Sequence, residues 1–95
     1  MRFNGSITVD DGCVIALRDG KSVLAAGIIA AEGDFERGDI IQVLDVAGRE
    51  VAKGLVEYDA DDVEAIMGRQ SAELEAILGH SPRSAVIHRD HLVLM

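Results

Sequence analysis

Between residues 40 and 57 two β-type runs are joined by a short turn-forming stretch. Ile40, Ile41, Val43 and Val46 are β-branched and stiff about χ1, which favours a pleated strand over a helix. Gly38-Asp39 bounds the first run and Ala47-Gly48-Arg49 ends it. Strands adjacent in sequence usually pair in space, so residues 40–46 and 51–57 are predicted to form an antiparallel hairpin at the centre of the fold.

The flanking segments add strands before this hairpin and helices after it. Residues 6–9 alternate weakly in polarity and meet Asp10-Asp11-Gly12, then the apolar run 13–17. Asp-Gly between two such stretches predicts a first hairpin. Arg18-Asp19-Gly20-Lys21 is a second polar break, after which residues 22–31, alanine-rich and interrupted by Gly27, read as a short helical turn entering a buried strand around Ile28-Ile29-Ala30. Beyond residue 58 the period changes. Asp59 is placed to cap a helix with Asp61 and Asp62 in its first turn, Glu64 just behind, Val63, Ile66 and Met67 on one face and Gly68 as its stop. Ser71 opens a second short helix with Leu74, Ile77 and Leu78 on its apolar face and Gly79 as terminator. Pro82 separates it from residues 84–95, which return to extended character in Ala85-Val86-Ile87 and Leu92-Val93-Leu94. The order predicts a mainly β fold with short helices, a small mixed sheet curled into a partial barrel. Long crossover helices, which a doubly wound sheet needs, are missing.

Ninety-five residues suit one domain. Its core is expected to be aliphatic, because Phe3, Phe35 and Tyr58 are the only aromatic rings. The single Cys13 has no internal disulfide partner and lies in an apolar run, which predicts a buried, reduced thiol and a reducing, cytoplasmic setting. No apolar run approaches the roughly 20 residues that span a bilayer, and Met1-Arg2-Phe3 leads into polar residues rather than a signal-peptide core. The net charge of −8 is concentrated in residues 32–75, which hold thirteen acids against four bases. Such a charge repels phosphates, and the nine Lys and Arg residues are scattered singly, so RNA is disfavoured as a partner.

The stretch EGDFERGDIIQV at residues 32–43, four acids and two glycines running into an apolar strand, is the first candidate site. A calcium loop starting at Asp34 would need glycine where Asp39 stands and glutamate where Asp45 stands; one starting at Glu32 meets Arg37 and Val43 instead. The stretch reads as a surface turn between Gly33 and Gly38, with Phe35 pointing inward and Ile40-Ile41-Gln42-Val43 opening the central hairpin. Gly20-Lys21-Ser22 lacks the first glycine of a phosphate loop, Ile15 standing in its place. His88-Arg89-Asp90 matches the first three residues of a kinase catalytic loop, but Met95 occupies the position of the magnesium-binding Asn. It reads as a turn in which Arg89 and Asp90 bond locally. His80, His88 and His91 lack the further ligands that zinc requires. Asp59, Asp61, Asp62 and Glu64 could face a hard cation, but capping and solvation account for the same residues. No catalytic, cofactor-binding or metal-binding residue is therefore assigned.

The succession of motifs carries a resemblance that no single fragment would. LAAGIIAAEGDFERGDIIQVLD (24–45), GREVAKGLVEYDADDVEAIMG (48–68), SAELEAILG (71–79) and AVIHRDHLVL (85–94) closely resemble the PUA domain at the C-terminal end of bacterial glutamate 5-kinases. VDDGCVIALRDGKSVL (9–24) resembles the passage leading into that module. The resemblance implies a PUA-like pseudo-barrel of mixed sheet, with Gly27, Gly33, Gly38 and Gly54 as turn residues or places of close backbone approach. It implies a lead-in segment and first hairpin at residues 1–21, within the same compact unit, and a PUA domain at 22–95. PUA domains are known best as RNA-binding modules, from which this chain departs by its acidic charge, so an RNA-binding PUA module is the alternative that the resemblance implies. The enzymes resembled phosphorylate the side-chain carboxylate of glutamate with ATP and magnesium, opening proline biosynthesis, and are inhibited by proline. That chemistry resides in an amino-acid-kinase domain N-terminal to the module. The chain is then expected to be a non-catalytic, cytoplasmic piece of a longer polypeptide. It would hold no cofactor of its own, partner the kinase domain and modulate it or its assembly, and share in any homo-oligomer of the full enzyme, with no membrane contact.

Overall fold

The turn at residues 45–49 shows how local chemistry sets the register of the sheet. Asp45 Oδ1 accepts the amides of Ala47 and Arg49, each at 2.9 Å, and Gly48 takes φ +83°, a conformation that favours glycine. This fixes β3 (Ile40–Leu44) antiparallel to β4 (Glu50–Leu55), with Ile41 opposite Gly54 and Val43 opposite Ala52. The period of two then sends Ile41, Val43 and Ala52 into the core and leaves Gln42 and Lys53 half-buried on the other face. The central hairpin stands where the sequence placed it.

The computed structural model describes residues 4–83 and 85–95. The sequence readings at Met1-Arg2-Phe3 and at Ser84 lie outside them. Within the described residues β1 (Gly5–Val9) runs parallel to β3 and antiparallel to β2 (Ile28–Gly33), and β5 (Leu92–Leu94) closes antiparallel on β4. The sheet order is β2-β1-β3-β4-β5. An isolated bridge between Val23 and Ile87 ties the segment leading into β2 to the segment leading into β5, the two outer strands. It curls the mixed sheet into the partial barrel that the sequence predicted.

One expectation is corrected. The sequence reads a first hairpin turning at Asp10-Asp11-Gly12, but residues 11–18 form a helix, α1 (Asp11–Arg18), and β1 pairs with β2 and β3 instead. The reason lies in Asp10, whose Oδ1 accepts the Cys13 amide at 2.7 Å and so caps the helix rather than turning a hairpin. Burial follows the helical period: Cys13 and Leu17, four apart, face the core, while Ile15 between them is 70% exposed. In a strand all three would share a face.

The later helices follow the sequence reading more closely. A short turn at Ala25–Gly27 enters β2, α2 (Ala60–Ile66) buries Val63 and Ile66, and α3 (Leu74–Leu78) buries Leu74. Ile77, expected on the apolar face of α3, is 39% exposed. The helix is only five residues long, so a single turn of it meets the core. Phe35 enters the core from the loop between β2 and β3, as expected, and its carbonyl accepts the Ala60 amide at 2.9 Å, docking the start of α2. Gly33 and Gly38 take φ +96°, whereas a Cβ on Gly27 or Gly54 would lie 2.8 Å from Cys13 Cβ or 2.7 Å from the His91 carbonyl oxygen. The first pair turns the chain and the second lets segments close. No helix among the described residues is long and apolar enough to cross a membrane.

Candidate interaction surface

Within the acidic stretch at 32–43 one carboxylate, that of Asp39, is spent on its own turn. Asp39 Oδ2 accepts the Glu36 amide and the Asn4 side-chain amide, each at 2.8 Å, and these bonds, the Glu36 amide first, hold its carboxyl below the usual carboxylate range. Asp59 precedes α2, but its Oδ1 accepts the Arg37 amide at 2.8 Å rather than an amide of its own helix. The cap position expected from sequence thus ties one loop to another. Asp61 and Asp62 lie in the first turn of α2.

His88-Arg89-Asp90 opens a turn at Arg89–His91, where His88 Nδ1 accepts the Asp90 amide at 3.1 Å. That bond is local, as expected. The Arg89 amide instead donates to Ser22 Oγ at 2.8 Å, joining this turn to the Gly20-Lys21-Ser22 stretch. The rings of His88 and His91 stand 6.0 Å apart, and His80 sits on a separate loop with Nδ1 3.1 Å from the Ser81 carbonyl. Among the described residues no three His, Cys, Asp or Glu side chains are gathered as a metal site would gather them.

The fold brings together two groups that spacing in the sequence does not signal. The first is a polar cleft of about 180 Å³ where the loop before β3, the link after β4, α2 and the segment after α3 converge. Glu57 lies between Arg37 and Arg83, at 3.7 and 4.0 Å from their Nε atoms, and the buried Tyr58 hydroxyl accepts the Arg83 amide at 2.6 Å. Ion pairs this exposed contribute under about 1 kcal/mol each, so the tyrosine bond is the firmer tie. Two arginines, Arg37 and Arg83, meet three carboxylates, Glu57, Asp59 and Asp62, in this cleft.

The second is an apolar groove of about 360 Å³ between α1 and the turn at Ala25–Gly27. Cys13 and Ala16 line it from α1, Ala26 and Gly27 from the turn, and Lys21, Ser22 and Leu24 from the segment between them. Small residues make the groove, because a Cβ on Gly27 would press on Cys13. The Cys13 thiol is pushed up to about 11 by burial and then by the Asp10 carboxylate, which leaves it a protonated, apolar wall rather than a nucleophile. A shallower hollow bordered by Ile15, Arg18 and Asp19 continues along α1 and shares Lys21. The sequence reading missed this surface because it placed residues 13–17 in a strand. The signal that could have found it is the spacing of Cys13 and Leu17 around an outward Ile15.

Comparison with known proteins gives this surface a context. The PUA domain family model matches residues 5–78. The glutamate 5-kinase of Rhizobium johnstonii is 53% identical over 90 residues, covering 95% of this chain and 23% of its own length. That of Novosphingobium aromaticivorans is 53% identical over 95 residues, covering 100% of this chain and 25% of its own. The chain spans about a quarter of the length of these curated relatives. Among solved structures, a PUA domain from Aeropyrum pernix K1, a tartrate complex, aligns with a TM-score of 0.69 at 27% identity, covering 93% of this chain and 42% of that one.

Proposed function

The chain belongs to the PUA domain family, and on that premise we propose that it is the non-catalytic PUA domain of a cytoplasmic glutamate 5-kinase, acting on the kinase domain or on its assembly. The observation that carries this reading is the 53% identity that extends over nearly the whole chain yet over only a quarter of each relative. Phosphoryl transfer from ATP to the glutamate side chain, with magnesium, then falls to the part of the protein that this chain does not span. Its own residues fit that division. Lys21 borders an apolar groove rather than a glycine cradle, and Asp39, in the acidic stretch at 32–43, accepts a backbone amide of its own turn. What the module offers a partner is surface: an apolar groove and a cleft of mixed charge on an acidic body.

The test is to compare the full-length enzyme with one lacking this segment, following glutamate phosphorylation, inhibition by proline and oligomeric state. At least one of the three is expected to change. Identical values in all three would overturn the reading.

A further inference from the structure

We infer that Asn4 is a site of spontaneous, main-chain-assisted deamidation, and that loss of its amide frees the turn between Gly33 and Gly38 from the start of β1. Asn4 is the chain's single asparagine and stands exposed immediately before β1, with Gly5 next to it. A main-chain nitrogen closes on the preceding asparagine side chain with least steric resistance when its own residue has no Cβ. The fold itself requires that glycine. A Cβ at position 5 would fall 2.6 Å from Phe35 Cδ2 and closer still to the Glu32 carbonyl oxygen. Phe35 is buried, so the packing of the core keeps the reactive pair in place.

The step balances with water as the only co-reactant. The Gly5 nitrogen gives its proton to solvent base and bonds to Asn4 Cγ, the Cγ–Nδ2 bond breaks, and the side-chain nitrogen leaves as ammonia. Water then opens the succinimide at one carbonyl or the other, giving aspartate or an isoaspartate whose main chain runs through the side chain. Either product puts a carboxylate where a donor stood. Asn4 Nδ2 donates to Asp39 Oδ2 at 2.8 Å, and the same oxygen accepts the Glu36 amide at 2.8 Å. This one exposed side-chain bond is too weak a tie to keep Asn4 from the attacking nitrogen. An ionised carboxylate only accepts, so after deamidation the link is gone and two negative charges face each other across it. The effect reaches the turn that carries Phe35 into the core.

Ageing the native chain in neutral to mildly alkaline buffer, with mass spectrometry of its peptides, tests the reaction. The Asn4 peptide is expected to change from amide to acid several-fold faster than the peptides of Gln42 and Gln70, the faster the more alkaline the buffer, and Asn4→Gln should suppress the change. Asp11-Gly12 and Asp19-Gly20 also offer isoaspartate sites, but they release no ammonia, so the mass change separates Asn4 from them. An Asn4 peptide that loses its amide no faster than the glutamine peptides would overturn the inference. The consequence is read by NMR on Asn4→Asp. Its Asp39 carboxyl should titrate at higher pH than in the parent, where the Asn4 donor helps to hold it low, and the Glu36 amide should exchange with solvent several-fold faster. Titration and exchange unchanged from the parent would equally overturn it, since the amide would then hold nothing that its loss could free.

Discussion

Val23 and Ile87 meet main chain to main chain, the Val23 amide donating to the Ile87 carbonyl at 2.9 Å while the Val86 amide returns to Val23 at 2.8 Å. The Val86 carbonyl also accepts the Glu57 amide at 2.8 Å, so this short segment stitches the exit of β4 to the entrance of β2. Both side chains are fully buried, and Ile87 also lies where a side chain on Gly54 would have to go. Ile87→Ala should therefore lower unfolding stability by about 2–5 kcal/mol, the range for truncating a core aliphatic residue. Val93→Ala, on β5 but 55% exposed, should cost under about 1 kcal/mol. Urea unfolding of both variants checks the pair, and similar losses would mean that the seam is not part of the core.

The first helix makes a second prediction. Asp10→Ala removes the acceptor of the Cys13 amide and should cost about 0.5–2 kcal/mol, while Asp10→Asn keeps an acceptor and most of the stability. Denaturation midpoints of the two variants measure the difference. An Ala variant as stable as the Asn variant would show that the cap contributes nothing.

The same residue marks the limit of what the sequence disclosed. Ile41 and Val43, alternating within a run bounded by glycines, placed the central hairpin, and Val63 with Ile66 placed α2, because in each case the local period and the tertiary burial agree. At residues 10–17 they conflict. Asp-Gly and a run containing Val14 and Ile15 have the local marks of a hairpin, yet the Asp10 carboxylate and the helical burial of Cys13 and Leu17 decide the outcome. The candidate surface was lost with that helix. Contacts such as Arg37 with Glu57 and Arg89 with Ser22 link residues far apart in sequence, and nothing in their spacing announces them.

The state of the Cys13 thiol is a third prediction. Its pKa of about 11 and its burial leave little thiolate near neutral pH, so the native protein should react with a thiol reagent far more slowly than the unfolded chain. Labelling with and without denaturant at about pH 8 measures the ratio. Equal rates would mean that the groove wall is open to reagent in the native state.

Asp45 provides a pH-dependent test. Its carboxylate is held below the usual range, chiefly by the Arg49 amide, with the Ala47 amide and the Arg49 charge adding to it, while desolvation opposes the shift. The folded pKa is thus lower than the unfolded one, which lies near about 3.9. The unfolded chain binds more protons between those two values, so this contribution is complete above the unfolded pKa and disappears as pH falls through the folded one. Asp45→Asn retains a side-chain acceptor for the turn amides but loses the ionised form that they favour. Its stability should fall at neutral pH and then decline less than that of the parent as the solution is acidified from about pH 5. Asp39, shifted in the same direction by the Glu36 amide and then the Asn4 side chain, remains in the variant, so the acid limb should be shallower rather than flat. Urea midpoints across that range decide the matter, and parallel limbs for parent and variant would remove Asp45 from the account of the turn's stability.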